Sequence, residues 1–358
     1  MKRIKVFAEH EYEVVFGNAG EIIRGFNSIL NGVSKVALIV PNDLKHLALS
    51  LKSKLEDIEI INKIIIIELP EGEQQKTIES LRNCWNILGT ENFRRTDVII
   101  GVGGGATTDL AGFVAATWLR GIRWIAIPTS LAGMVDAAIG GKTGINTESG
   151  KNLVGAFYSP QIVVIDVAYL QTLPEAELRA GLAEVIKCGF IADQRILELF
   201  ESRDDFLNPA SDTVRELIER AIEVKAQVVS KDLKESFLRE NLNYGHTLAH
   251  AIEKFENYTW RHGDAVAVGL AFISNLAWLC GVASEVLQDR HLAILQKVGL
   301  PTTFRAAAWP ELLSGMQSDK KSRSSGLRFV AVNDKYEVIR LEGLGSEVLQ
   351  AAYERISS

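Results

Sequence analysis

The sequence predicts two domains of different kind: a Rossmann-like α/β domain with a mainly parallel sheet over residues 1–172, and a mainly α-helical domain over 173–358. Short runs of β-branched residues alternate with helical stretches through the first half. From Leu173-Pro174 onward the texture changes to long helical periodicity. The 358 residues are enough for two domains of ordinary size, each able to bury its own core.

Residues 36–40 read as a strand stopped by Pro41-Asn42-Asp43, and 64–67, 98–100, 124–127 and 162–165 follow as further strands. Continuous apolar strands between helices indicate a parallel sheet covered on both faces. The boundary falls near Thr172. Pro174 suits a first helical position, and Glu175 and Glu177 complement the dipole of that first turn. Residues 327–332 and 336–339, around Asn333-Asp334, read as a β-hairpin within the helical half. Residues 265–283 run 19 positions without a charge, near the span of a bilayer. Their alanine and glycine content and the Ser274-Asn275 interruption favour a buried core helix, with no membrane partner.

With 47% apolar and 23% charged residues the chain sits in the ordinary globular range. A net charge of −6 argues against nucleic acid as a partner and leaves room for local basic pockets. Cys84, Cys188 and Cys280 lie far apart with no C-x-x-C, which suits buried thiols in a reducing, cytoplasmic setting. No apolar stretch follows Met1-Lys2-Arg3, so no signal peptide is expected.

Residues 98–118 read as a buried strand, a run of glycines and a helix. Glycines there let backbone N–H groups approach a phosphate at a helix N-terminus. Gly101, Gly103 and Ala106 satisfy G-x-G-x-x-A, but the acidic residue expected about 20 positions on is missing, with Arg120 and Trp124 in that neighbourhood. Nucleotide binding is favoured over a plain tight turn, but not through the usual fingerprint.

Most of the chemical signal lies between Glu235 and His262. Glu235, Arg239, Asn243, His246 and His250 fall within an arc of roughly 80° on one helix face. Three of only six histidines, His246, His250 and His262, occupy 17 positions. Imidazole suits zinc, and a catalytic zinc usually takes three protein ligands and keeps one position open. Histidine alone leaves the third ligand undecided. Glu184, in an otherwise apolar helical stretch, needs a cation, which a metal or Lys187 could supply. Lys225 shares a helix face with Ile218, Ile222 and Val229, so it either snorkels to water or meets a buried anion. Lys142, Lys151 and Asn152 flank glycines in a loop suited to phosphate capture, and 319–323 read as a polar loop.

Taken together, PEGEQQK at 70–76, GGGATTDLAGFVAATWLRG at 103–121, VDAAIGGKTGIN from 135 and SGKNLVGAFYSP to 160 resemble the 3-dehydroquinate synthase family of sugar-phosphate cyclases. So do AGLAEVIKCG at 180–189, KESFLRENLNYGHTLAHAIE at 234–253, WRHGDAV at 260–266 and DKK at 319–321. The resemblance spans nearly the whole chain and implies the dehydroquinate synthase-like fold. It further implies zinc, or cobalt in its place, on Glu184, His246 and His262, with His250 a substrate contact. It places NAD on Asp43, Glu71, Glu73, Lys76, Gly104, Gly105, Asp109, Thr129, Ser130, Lys142 and Lys151. Substrate phosphate is implied for Lys142, Asn152, Asn243, His250, one of Lys320 and Lys321, and Arg120 of a second subunit in a homodimer. Arg239 and Lys225 would hold the substrate carboxylate, with Asp136, Lys187 and Glu235 near the reacting hydroxyls. Ser130 stands where the family often has threonine, and Ala137-Ala138 where it often has two serines; both keep small side chains.

The implied reaction turns a sugar-acid phosphate, 3-deoxy-arabino-heptulosonate 7-phosphate, into 3-dehydroquinate and phosphate. NAD oxidises the C5 hydroxyl, phosphate leaves, the same NADH reduces the ketone, and the ring opens and recloses as a carbocycle. Two rivals are a cyclase making inosose- or valiolone-type rings, whose substrate lacks the carboxylate, and a metal-dependent polyol dehydrogenase with net NADH release.

Overall fold

Met1–Leu173 with Lys225–Lys234 form one compact unit of the computed structural model, and Pro174–Val224 with Glu235–Ser358 form the other. The structure describes residues 2–233, 238–320 and 327–358, apart from the side chains of residues 27, 28 and 318–320.

In the first unit the strands are β1 (Arg3–Phe7), β2 (Glu11–Phe16), β3 (Lys35–Pro41), β4 (Lys63–Leu69), β5 (Val98–Gly103), β6 (Arg123–Pro128), β7 (Lys142–Thr147), β8 (Gly150–Phe157) and β9 (Ile162–Ile165). Its helices are α1 (Ala19–Gly25), α2 (Asn27–Leu30), α3 (Lys45–Glu56), α4 (Ile78–Thr90) and α5 (Gly105–Thr117). Seven strands form one sheet in the order β1-β2-β9-β6-β5-β3-β4, parallel except for β1. The five apolar runs legible in the sequence are β3, β4, β5, β6 and β9. Every residue of β5 and β9 is buried, as strands covered on both faces require.

Two hairpins were not expected. β1 and β2 pair antiparallel with Ile4 and Val6 turned inward, and they extend the sheet beyond β9. The stretch read as a glycine-rich loop is the antiparallel pair β7–β8. Its strands approach closely at Gly155, where a Cβ would stand 2.1 Å from the Thr143 carbonyl oxygen.

The second unit contains α6 (Glu175–Ile191), α7 (Gln194–Ser202), α9 (His246–Phe255), α10 (His262–Leu279), α11 (Glu285–Val298), α12 (Trp309–Lys320) and α13 (Ser346–Glu354), and α8 (Asp212–Lys231) begins in it. β10 (Arg328–Val332) and β11 (Val338–Glu342) form its hairpin. The turn is wider than the sequence suggested, because Tyr336 takes a positive φ while Asn333 Oδ1 accepts from the N–H groups of Lys335 and Glu337. The apolar stretch near bilayer length is α10, 78% buried, packed against α6, α9, α11, α13 and β10. Its polar interruption is satisfied internally: Ser274 and Asn275 both donate to the Ala271 carbonyl, and Arg355 donates to Asn275.

One helix does not carry the stripe from Glu235 to His250. Residues Leu238–Asn243 form a 3₁₀ turn, Gly245 takes φ 79° in the left-handed region, and α9 starts at His246. The same intervals of three and four suit a 3₁₀ turn followed by a glycine break. Glycine suits that left-handed φ, and a Cβ at Gly245 would stand 3.0 Å from the Leu270 backbone nitrogen of α10.

Candidate active site

The residues expected to hold a nucleotide gather at the carboxyl edge of the parallel sheet. Asp43 follows β3, Glu71, Glu73 and Lys76 follow β4, Gly104 and Gly105 follow β5, and Thr129 and Ser130 follow β6. Since β3 is flanked by β4 on one side and β5 on the other, the strand order reverses there, and ligands of open α/β sheets bind at such a crevice. Gly104 caps α5, so the orphan N–H groups of that helix face the same edge. Acidic groups at this edge follow β3 and β4 or, like Asp109, lie in α5; among the described residues none stands at the end of β6, where the usual fingerprint would place one.

Lys76 organises part of this edge. Its ammonium lies 2.7 Å from Asp109 Oδ2 and 3.7 Å from Glu73 Oε1, and also donates to Asn152 Oδ1. Desolvation would lower its pKa, but Asp109 and Glu73 outweigh burial and raise it, so Lys76 stays charged. Asn146 ties β7 into the network, donating 2.8 Å to Glu73 Oε1 and accepting 3.0 Å from the Asn152 N–H. The Asn146 N–H also reaches the Lys76 carbonyl at 2.8 Å. Lys142 opens β7, and Lys151 lies in β8 beside Asn152. Asp136 sits in a π-helical turn, Gly133–Ala137, where both its carboxylate and its carbonyl accept from Lys225. Lys225 therefore meets an anion.

In the second unit three elements converge on one carboxylate. Glu184 of α6 is 2% exposed; its Oε2 pairs with the equally buried Lys187 one turn on. Its Oε1 lies 3.3 Å from His246 Nε2 at the start of α9 and 3.2 Å from His262 Nε2 at the start of α10. Each ring is oriented through its other nitrogen. His246 Nδ1–H donates to the Tyr244 carbonyl at 3.0 Å, and His262 Nδ1–H to Glu253 Oε2 at 3.1 Å. Burial opposes the charge on Glu184, but Lys187 and then His246 hold its carboxyl well below the usual range. Burial alone would lower His262; hydrogen bonds to Glu184 and Glu253 reverse this and push it up to about 10. His250, part of whose surface reaches solvent, is pushed down to about 3 by desolvation and then by His246 and His262.

This donor set fits a divalent cation. The ligand atoms of Glu184, His246 and His262 all lie within 4.8 Å of one another. A tetrahedral zinc with bonds of about 2.0 Å has edges of about 3.3 Å, and the two oxygen-to-nitrogen separations match that edge. Two imidazoles and a carboxylate leave a fourth position for a substrate oxygen. The His250 ring lies 5.4 Å from that of His246 and 6.5 Å from that of His262, centroid to centroid.

Glycines set the approach of the three elements. A Cβ on Gly263, beside His262, would stand 1.8 Å from the Ala180 carbonyl oxygen, one turn before Glu184. Backbone cannot rotate out of the way, so Gly263→Ala should force α6 and α10 apart and destabilise by about 3 kcal/mol, the upper part of the overpacking range. Metal uptake should weaken with it. An unchanged urea midpoint would show that the two backbones do not meet.

Arg120 lies at the opposite edge of the sheet from the residues expected to hold the nucleotide. It is exposed, between α5 and β6 at the amino edge of the sheet, with φ 63°. Arg239 is 2% exposed, and Asn243 ends the same 3₁₀ turn. Glu235, Lys321 and the side chain of Lys320 lie outside the described residues. Sequence reasoning missed Glu253, although its spacing from His246 and His250 continues the stripe along α9. It also missed His291, buried in α11 and accepting from the Tyr244 hydroxyl at 2.7 Å.

A parallel α/β unit followed by a helical unit is a fold found among solved cyclases such as 2-deoxy-scyllo-inosose synthase and also among glycerol and alcohol dehydrogenases. The structure superposes on the 2-epi-5-epi-valiolone synthase of Streptomyces hygroscopicus with a TM-score of 0.87, at 22% identity over 99% of each chain. Residues 66–180 match the family described as 3-dehydroquinate synthase N-terminal, and residues 181–322 its C-terminal counterpart. A 3-dehydroquinate synthase of Streptomyces avermitilis is 52% identical over 348 residues, 96% of this chain and 94% of the relative. One of Corynebacterium diphtheriae is 51% identical over 357 residues, 100% of this chain and 99% of the relative. The chain belongs to the 3-dehydroquinate synthase family.

Proposed function

We propose that this chain converts 3-deoxy-arabino-heptulosonate 7-phosphate to 3-dehydroquinate and phosphate, the lyase step of the shikimate route to chorismate and aromatic amino acids. NAD is assigned to the first unit and a divalent metal, zinc or cobalt, to the second. Family membership at about half identity over almost the full length supports the reaction, and the Glu184, His246 and His262 cluster is the observation that carries the metal. The structurally similar valiolone synthase has NAD+ and Zn2+ bound.

When bound, the metal supplies Lewis acidity to the hydroxyl being oxidised. The chain's own groups do the rest. N–H groups at the start of α5 would cradle the cofactor's phosphates, and Asp43, Glu71, Glu73, Thr129 and Ser130 would contact it. By the family resemblance, Lys142, Asn152, Asn243, His250 and one of Lys320 and Lys321 would orient the substrate phosphate so that it leaves near the proton it takes. Lys225, already gripping Asp136, and Arg239 receive the carboxylate. A homodimer belongs to this reading, because the family resemblance assigns exposed Arg120 to the substrate phosphate of a second copy. Exposed Leu119, Leu153 and Val154 give that copy apolar surface to cover. Buried Cys84 and Cys188, neither in a disulfide among the described residues, suit a cytoplasmic protein.

Because oxidation and reduction use the same cofactor molecule, trace NAD should support many turnovers of the heptulosonate phosphate without NADH accumulating. Phosphate and dehydroquinate would be followed together. NADH growing in step with product would establish a dehydrogenase instead.

A further inference from the structure

We propose that Glu253 is a positioning residue of the metal centre, holding His262 by its Nδ1–H and setting the charge of the loaded site; the inference rests on the metal assignment above. Glu253 is 4% exposed, on α9 two turns beyond His246, and its Oε2 is 3.1 Å from His262 Nδ1. A carboxylate this dry is stable only against a cation or strong N–H donors. Its hydrogen bond fixes the His262 tautomer, turns Nε2 toward Glu184 and makes that nitrogen a better donor to a metal.

The two histidines are thus unequal. His246 gives its Nδ1–H to a neutral backbone carbonyl, that of Tyr244, whose hydroxyl is held by His291. His262 gives its own to an ionised group. Charge bookkeeping shows the consequence. Glu184 and Glu253 are anions and Lys187 is a cation, so a bound dication leaves these buried groups with one net positive charge. Neutralising Glu253 leaves two, in a place where water screens poorly. Both the hold on the ring and the charge balance favour metal binding.

Glu253→Gln keeps the size and an acceptor oxygen but removes the charge. Its zinc affinity, measured by competition with a chromophoric chelator, should fall 10- to 100-fold, and the Co2+ ligand-field spectrum should shift, with the far-ultraviolet circular dichroism unaltered. Glu253→Asp, which keeps the charge, should bind zinc more tightly than Glu253→Gln. In the wild-type protein loaded with zinc, nitrogen NMR should find His262 protonated on Nδ1 in a strong hydrogen bond, a readout needing no variant to fold. A proton-free Nδ1, an unshifted cobalt spectrum with affinity within about twofold of wild type, or the reverse order of the Asp and Gln variants would each overturn the proposal while leaving the triad in place. Failure of the wild type to take up stoichiometric zinc would overturn the metal assignment and this inference together.

Discussion

His246→Ala is expected to yield a folded protein that has lost its metal and at least about three orders of magnitude in turnover. A Lewis-acidic ion supplies several kcal/mol of transition-state stabilisation, and about 4 kcal/mol corresponds to roughly a thousandfold. Folding should survive because His246 is the first residue of α9, and alanine is the best helix former. Glu184 would keep Lys187 and His262 as partners, so no buried carboxylate is stranded. Metal content by mass spectrometry beside circular dichroism separates metal loss from unfolding. Chelating the wild-type protein should abolish activity, and added zinc should restore it. Full metal occupancy in the variant would remove His246 from the ligand set.

The parts of the fold legible in the sequence are those where local pattern and tertiary context agree. β3, β5, β6 and β9 are runs of valine, isoleucine and alanine buried on both faces, so composition alone marks them. β1 is harder: Arg3, Lys5 and Phe7 alternate with buried Ile4 and Val6, and five alternating residues become a strand by pairing with β2. β7 and β8 are rich in glycine, lysine and asparagine, residues of low β-propensity. Their pairing is fixed by distant contacts, among them Asn146 on the Lys76 carbonyl and on Glu73, which no window along the chain contains.

The candidate site was legible to different depths for related reasons. His246, His250 and His262 stand out by density alone, and the structure clusters their rings. Glu184 lies some sixty positions earlier; its apolar setting demanded a cation, and it has both Lys187 and the histidines. The helical stripe failed at Gly245 because residue spacing constrains angles only while the helix continues. A left-handed glycine ends that, so the separation of Arg239 from His246 cannot be taken from helical rise. Arg120 shows a further limit: its proposed service to a second copy of the chain cannot be read from its neighbours in the sequence.

Arg239→Lys is the variant expected to separate this cyclase from its carboxylate-free relatives. The 3₁₀ turn that carries Arg239 is pinned on its C-terminal side. Glu240 and Asn241 accept from Arg340 of β11 at 2.8 and 2.7 Å, and Tyr244 is anchored through His291. The guanidinium, 2% exposed, is therefore held by a rigid backbone. A planar fork can bind a carboxylate through two charge-assisted hydrogen bonds, which an ammonium cannot copy although the charge is the same. Loss of a desolvated pairing of this kind is worth on the order of 2–5 kcal/mol, so kcat/KM for the heptulosonate phosphate should fall roughly 30- to several-thousand-fold. An analogue in which the carboxylate is replaced by a hydroxymethyl group already lacks the interaction, and its kcat/KM should change far less. Two enzymes and two substrates close a cycle in which general damage to the fold cancels, because it lowers both substrates alike. Equal losses on the two substrates would show that Arg239 does not read the carboxylate. The preference for a heptulosonate over an inosose- or valiolone-type precursor would then have to come from groups outside that 3₁₀ turn, with Lys225 the first to test.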